Sequence, residues 1–475
     1  MTGRILRTEL RRSTAPWLGV VFVLLSLALL FGLTGPWVHG SAPWTEQWTG
    51  LALWQRNLLS FTWPVVLGLS TWQGTRQSRS TMDELLATTP RPAWCRVGVL
   101  AGAMAIAVTV AALVLFTIGA VQVAGSATYF TFDWLPTLAV GILAMIAAVA
   151  LGMAIGHLLP YVATPPMVAV AGEALLILLL SVPSDADATT GSLPTRVTLL
   201  SPVLDGPDTA FTTVSPPVHL GQALFFLGLA ATGFALLTVR GLRARIAAGL
   251  PAVLGLVLAL IVLPGQQADA YPDDVAAAAP VCDESGPQVC VTAAHQGLLP
   301  AFTGPGRQAL ADLAVLPNAP ISVREVPDQT VGRLAPLPRP ADTIQADLND
   351  GETRHWSGPQ INADRLRLTL LVGAGTAPCA GYATRGDETG GIEERAARLA
   401  VVSWLSGDPA QPGSAATPSL EEYWPEVARK AESARDALFA LPRDEQVRRV
   451  AALRQAGLTC EGDQWDILAR GTGAR

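Results

Sequence analysis

QGTRQSRSTMDELLATTPRPAWCR, residues 73–96, is a charged, helix-competent insert between two apolar runs. Its side of a membrane decides what the chain is. Facing the cytosol, its Met82-Asp83-Glu84-Leu85-Leu86 turn is a docking surface for a soluble partner rather than a connector.

Working outward from this insert, the 475 residues are half apolar and only 15% charged, with the apolar material gathered in the first half. Runs 17–35, 53–72, 97–123, 135–159, 165–182, 219–239 and 246–264 are each close to the ~20 residues a bilayer-spanning helix needs, so seven spans are expected. The second run carries Gln55, Arg56 and Asn57 near its start. A span tolerates these if Arg56 snorkels to the interface at the helix end.

Arginine placement orients the bundle, because basic residues in short loops stay in the cytosol. Arg4, Arg7, Arg11 and Arg12 precede the first run, Arg76, Arg79, Arg91 and Arg96 fill the 73–96 loop, and Arg240, Arg243 and Arg245 separate the last two runs. The intervening loops hold only Arg56 and Arg196 beside six carboxylates. The N-terminus and the 73–96 loop are therefore expected inside, and everything after Pro264 outside, in a multi-pass protein of the cell membrane. Residues 1–16 read either as an amphipathic helix in the headgroup plane or as a bare charge cluster.

Cysteine usage is an independent check, since exported domains keep disulfides and cytosolic ones rarely do. Four of the five cysteines lie beyond Pro264 and Cys95 stands alone on the inner side. Cys282, Cys290, Cys379 and Cys460 allow three pairings. The favoured one joins Cys282 to Cys290 across a Gly286-Pro287 turn, leaving Cys379 with Cys460; the alternative is four buried free thiols.

The chain thus divides into an interfacial segment (1–16), a transmembrane domain (17–264), a polar tether (265–280) and an extracytoplasmic domain (281–475). Short strands are expected over 281–291 and 321–326, an apolar run of unassigned type over 365–372, and helices over 392–405, 420–441 and 443–456. That makes the outer domain α+β. The proline-rich linker 183–218 carries an apolar patch, 197–204, that either dips into the outer leaflet or covers the bundle.

Motifs for chemistry are sparse. No G-x-x-x-x-G-K-[ST] loop is present, so nucleotide hydrolysis by that route falls to another chain. Gly373-Ala374-Gly375 has the wrong spacing for a dinucleotide fingerprint. His295 and His355 belong to no H-E-x-x-H helix and read as surface histidines. No G-x-S-x-G elbow occurs, and the acidic overall charge of -6 makes nucleic acid an unsuitable partner. No catalytic, cofactor or metal residues are assigned. Within the spans Glu173 stands out, because an intramembrane carboxyl is costly unless it is neutral, hydrogen-bonded or on a watered path. It is read either as a bonded, protonated acid or as lining a translocation path, with His157 as partner.

The order of basic residues, then T-M-D-E-L-L-A-T-T-P-R, then a span resembles the cytoplasmic loop of ABC-2 type export permeases. In that family a short coupling helix between the second and third spans contacts a separate ATPase subunit. Met82, Glu84, Leu85, Leu86, Thr89, Pro90 and Arg91 match its pattern, with Asp83 beside them. The resemblance extends more weakly over the six-span core to Val239 and the stretch GMAIGHLLP at 152–160, a little over half the chain. It implies an α-helical polytopic membrane protein with a six-span core, here enlarged by a seventh span and a small outer α+β domain. It further implies a permease subunit that is not itself an enzyme, exports an amphipathic or apolar compound, and pairs with an ABC ATPase and a second permease copy or homologue among membrane lipids. The alternative is a membrane-anchored extracytoplasmic binding or sensor protein using the bundle as scaffold.

Overall fold

The computed structural model describes residues 14–32, 44, 47–79, 93–180, 195–204, 211–326, 339–346, 348, 363–379, 388–407 and 424–469. The protein is mostly helical and forms two compact units, one ending at Asp274 and the other beginning at Val275. Each is built around its own core.

In the first unit, α1 (Ala15–Gly32) is followed by α2 (Trp48–Asn57), α3 (Leu59–Arg79), α4 (Ala93–Ser126), α5 (Trp134–Leu158) and α6 (Thr164–Leu180). A single turn α7 (Thr195–Thr198), then α8 (Pro216–Thr238), α9 (Leu242–Ala248), α10 (Leu250–Val262) and the short α11 (Gln267–Ala270) complete it. Among the described residues, five helices are long and apolar enough to cross a membrane: Ala15–Gly32, Val97–Gly125, Trp134–Leu158, Pro216–Thr238 and Leu242–Val262. The other two expected spans are helical but differ from those five. α6 has only 17 residues. The 53–72 run falls across α2 and α3, whose last turn carries Arg76 and Arg79.

α2 and α3 are separated only at Leu58, which keeps helical backbone angles. Pro64 lies inside α3, lacks an amide proton, and its ring crowds the carbonyl four residues earlier, at Ser60. The carbonyl of Leu58 keeps its helical partner, accepting from the Thr62 N–H at 3.1 Å, and also accepts from the Thr62 hydroxyl at 2.9 Å.

α3 and α5 form the tightest pair, and glycine is the reason. A methyl at Gly156 would stand 2.1 Å from the Thr71 carbonyl oxygen, one at Gly152 2.5 Å from that of Leu67, and one at Gly74 2.2 Å from that of Met153. The backbones touch directly, as small-residue seams between membrane helices permit. At the far end Ser78 Oγ donates to the His157 carbonyl at 3.3 Å and Arg79 Nε to the Pro160 carbonyl at 2.7 Å.

The apolar patch 197–204 covers the bundle: Leu199, Leu200 and Leu204 are buried with Val218 of α8, Ala259 of α10 and Tyr271. The first part of the 265–280 stretch is similarly ordered on this unit, with Ser215 N–H donating to the Ala270 carbonyl at 2.9 Å and Thr213 N–H to that of Pro272 at 3.0 Å.

The second unit opens on a hairpin, β1 (Pro280–Asp283) and β2 (Val289–Thr292), in antiparallel register with Cys282 directly opposite Cys290. A 3-10 segment (Ala293–Leu298) and α12 (Leu299–Leu313) then cross to β3 (Ser322–Glu325), parallel to β2. β4 (Thr343–Ala346), which the sequence reading did not anticipate, pairs parallel with β3 and completes the order β1-β2-β3-β4. The remaining elements are helical: α13 (Ala363–Leu371), α14 (Glu388–Ser406), α15 (Trp424–Phe439), α16 (Arg443–Thr459) and α17 (Gln464–Ala469). The unassigned 365–372 run is thus α13 and a 3-10 turn. It buries Leu366, Leu370 and Leu371 at helical spacing. Both favoured disulfides are present, Cys282–Cys290 and Cys379–Cys460, while Cys95 is a free thiol.

Candidate functional site: a buried arginine within the helical bundle

Arg56 does not snorkel. It is 1% exposed at the C-terminal end of α2, because acceptors within the bundle reach its guanidinium before solvent does. Nε donates to the Pro202 carbonyl at 2.7 Å, Nη1 to that of Thr137 at 3.4 Å and Nη2 to Gln222 Oε1 at 3.0 Å. Gln222, fully buried, is oriented by its own amide, which donates to the carbonyls of Leu199 at 2.8 Å and Ser201 at 3.1 Å. The 199–204 segment, α5 and α8 are thus joined through one side chain. All three acceptors are neutral, and Arg56 has no ion-pair partner among the described residues.

Room for the arginine stem comes from Gly141 on α5, where a methyl would lie 2.7 Å from Arg56 Cδ. Gln55, next to it and also buried, donates through Nε2 to the Ala112 carbonyl at 3.0 Å, whereas its buried Oε1 has no partner. Gln55 and Arg56 both line a small cavity whose other walls include Phe22, Leu138, Gly141 and Met145.

The sequence-derived candidates sit elsewhere. Glu173 is half-buried on α6 with no hydrogen-bond or ion-pair partner among the described residues, and His157, at the end of α5, is not joined to it. Glu173 lies nine residues beyond the start of α6, about 14 Å along the axis, whereas His157 precedes that start. Met82, Asp83, Glu84, Leu85, Leu86, Thr89, Pro90 and Arg91 lie outside the described residues, as does the 1–13 part of the N-terminal segment.

At the edge of the bundle Tyr129, between α4 and α5, donates its hydroxyl to the Asp274 carboxylate at 3.2 Å. Burial, and then the negative charge of Asp274, push the phenol up from 10.0 to about 12.

In the second unit His295 is not a surface histidine: it is 4% exposed, with Nδ1 2.5 Å from Glu325 Oε1. Glu325 Oε2 accepts from Thr292 N–H at 2.7 Å and from its hydroxyl at 2.8 Å. The strand period explains this. Val323 and Glu325 are two residues apart on β3 and share its buried face, so the carboxylate enters the core and needs partners. Glycines 373 and 375, with Ala374 between them, adopt left-handed backbone angles. The carbonyls of this turn and the residues after it receive arginines instead of a nucleotide: Arg454 donates to Ala374 at 2.6 Å, Arg339 to Ala377 and Pro378 at 2.7 Å each, and Arg398 to Thr376. Burial lowers Arg454 to about 10, which leaves it charged at neutral pH. The arrangement is structural cement. No group of three or more His, Cys, Asp or Glu converges among the described residues.

No protein-family model, curated protein or solved structure matches the chain.

Proposed function

We propose that this chain is the membrane subunit of an ABC-2 type exporter, taking energy from a separate ATPase and moving an amphipathic or apolar compound across the cell membrane. The observation that carries this reading is the T-M-D-E-L-L-A-T-T-P-R sequence of 81–91 and its position in the chain, between α3 and the 34-residue α4. A family coupling helix occupies the same interval. In this proposal α2–α3 and α6 join the five long apolar helices as spans, giving seven crossings, a cytosolic N-terminus and an extracytoplasmic second unit. The two disulfides support that side for the second unit, since they persist in oxidising compartments. Subunit pairing, with a second copy or a related permease, follows from the same reading.

The test is co-purification of the full chain with its ATPase, followed by reversal of Asp83 and Glu84 to lysine. Loss of the ATPase from the double-reversal complex is expected. Retention of full binding and of transport-linked hydrolysis would remove the basis of the proposal. A second reading, a membrane-anchored binding or sensor protein, draws on the second unit having its own hydrophobic core; it predicts that no ATPase co-purifies at all.

A further inference from the structure

Among the five long apolar helices, Leu242–Val262 is the least covered by the rest of the protein. It packs on α8 through bare backbone: a methyl at Gly228 would stand 2.4 Å from the Pro251 carbonyl oxygen, and one at Gly255 2.7 Å from that of Leu224. Gly249 keeps right-handed helical angles, so the helical phase of α9 carries into α10. At 3.6 residues per turn Leu242, Ile246, Leu250, Val253, Val257 and Ile261 then fall within about 100° of arc, on the side away from that seam, and all six are exposed. Arg243 lies at the edge of the same arc, with Arg240 and Arg245 to either side of it in the chain. All three arginines are exposed, and none has a side-chain hydrogen bond or ion pair among the described residues. Trp94, exposed as well, stands one turn before Gly98, which faces the Phe234 ring near the end of α8. An exposed tryptophan at a span end marks the headgroup level.

We infer that this face is the seat of an anionic phospholipid, its phosphate held by Arg240, Arg243 and Arg245 and an acyl chain laid along Leu242, Ile246, Leu250 and Val253. Half of a ~30 Å hydrocarbon core is about 15 Å, the rise from Leu242 to the level of Val253. Phosphate oxygens suit the planar fork of a guanidinium, and no carboxylate among the described residues competes for it. A zwitterionic headgroup brings its own cation to the same place and gains less. A second copy of the chain is a poorer occupant, because a two-fold axis along the membrane normal sets the arginines of one copy level with those of the other. The inference takes its leaflet, the inner one, from the seven-span reading; the site itself requires no ATPase.

The full chain, in a neutral detergent, is titrated with dioleoyl phosphatidylglycerol, dioleoyl phosphatidylcholine and glycerol 1-phosphate, and bound molecules are counted by native mass spectrometry. The first phosphatidylglycerol should bind at least about tenfold more tightly than phosphatidylcholine, and Arg240→Gln/Arg243→Gln/Arg245→Gln should bring the two lipids within about twofold of each other. If that variant does not fold, the single surface change Arg243→Gln decides, with a loss of at least about threefold in the preference expected. Equal binding of both lipids by wild type refutes the site. An undiminished preference in the folded variant also refutes it, by placing the lipid on another basic group. Glycerol 1-phosphate binding as tightly as the lipid would overturn the part given to the apolar stripe. Cys95→Ser/Val253→Cys should stay monomeric under oxidation, whereas a disulfide-linked dimer would put a second copy on this face and overturn the lipid assignment. Selective binding of phosphatidylglycerol by a chain that captures no ATPase keeps the site and loses the exporter reading.

Discussion

The two disulfides close loops of very different length, and their removal separates chain entropy from local packing. Cys282–Cys290 spans 8 residues and Cys379–Cys460 spans 81. In the chain-entropy description these closures stabilise by about 2.5 and about 4.5 kcal/mol at room temperature, so the long loop is worth about 2 kcal/mol more. Local structure reinforces the ordering. The short loop encloses a hairpin whose ladder already pairs Cys282 with Cys290, whereas the long one ties the end of the 373–379 turn to the C-terminal cap of α16, across α14 and α15. Arg339, donating to both the Ala377 and Gly457 carbonyls, still bridges the same two segments after reduction, so part of the attachment survives. The double variants Cys282→Ala/Cys290→Ala and Cys379→Ala/Cys460→Ala, made in the full chain in nanodiscs, are to be compared by pulse proteolysis across a urea series, following fragments of the second unit. Alanine at 460 keeps the left-handed backbone angle of a non-glycine residue, so that strain stays constant. The long-loop variant should unfold at distinctly lower urea. Equal midpoints, or a lower one for the hairpin variant, would refute the entropic account and put the stabilisation in local packing.

Further perturbations address the other contacts. Gly156→Ala places a methyl 2.1 Å from a backbone oxygen that cannot rotate away, so a loss of about 2–3 kcal/mol is expected, read as a lower melting temperature in nanodiscs. Gly102→Ala, with nothing within 4 Å, is the control and should be neutral or slightly stabilising. Glu325→Ala strands the buried Thr292 and His295 groups and should cost about 3–5 kcal/mol, whereas an unchanged urea midpoint for the second unit would mean that the dyad contributes nothing. Tyr129 is a group whose folded pKa is raised, from 10.0 to about 12, by burial first and Asp274 second. Its contribution to stability is therefore complete below pH 10 and lost as pH rises through about 12. Phenolate absorbance of wild type minus Tyr129→Phe should show this late ionisation, and a midpoint near 10 would contradict the burial.

Hydropathy was enough to locate the helices, because apolar length is a one-dimensional property. The five long apolar helices fall within or close to their expected intervals, and the two weaker ones are weak for visible reasons: α6 is short, and α3 carries Pro64 and a basic last turn. The cysteine pairing was legible from the turn at Gly286-Pro287 and the even count. Arg56 was misread because snorkelling depends on what lies around the helix end, and the carbonyls that capture it come from residues 137 and 202. His295 was misread for lack of its partner, although a clue was present: Val323 and Glu325 on one face of a short strand put a carboxylate beside core valine. β4 was missed since Thr343-Ile344-Gln345-Ala346 is too short to display a period, and only its pairing with β3 makes it a strand.

The glycine seam between α3 and α5 has a mechanical meaning. Two helices in backbone contact at three points, and pinned again where Ser78 and Arg79 reach the last turn of α5 and the residues after it, cannot slide or shear without steric collision. They are one stiff body. A displacement applied at Arg79, where the chain leaves α3 toward residues 80–92, is then not absorbed by side-chain rearrangement. It reaches Thr137 at the opposite end of α5 as rotation of a rod about 38 Å long, the length of its 25 residues, and arrives at the carbonyl that holds Arg56.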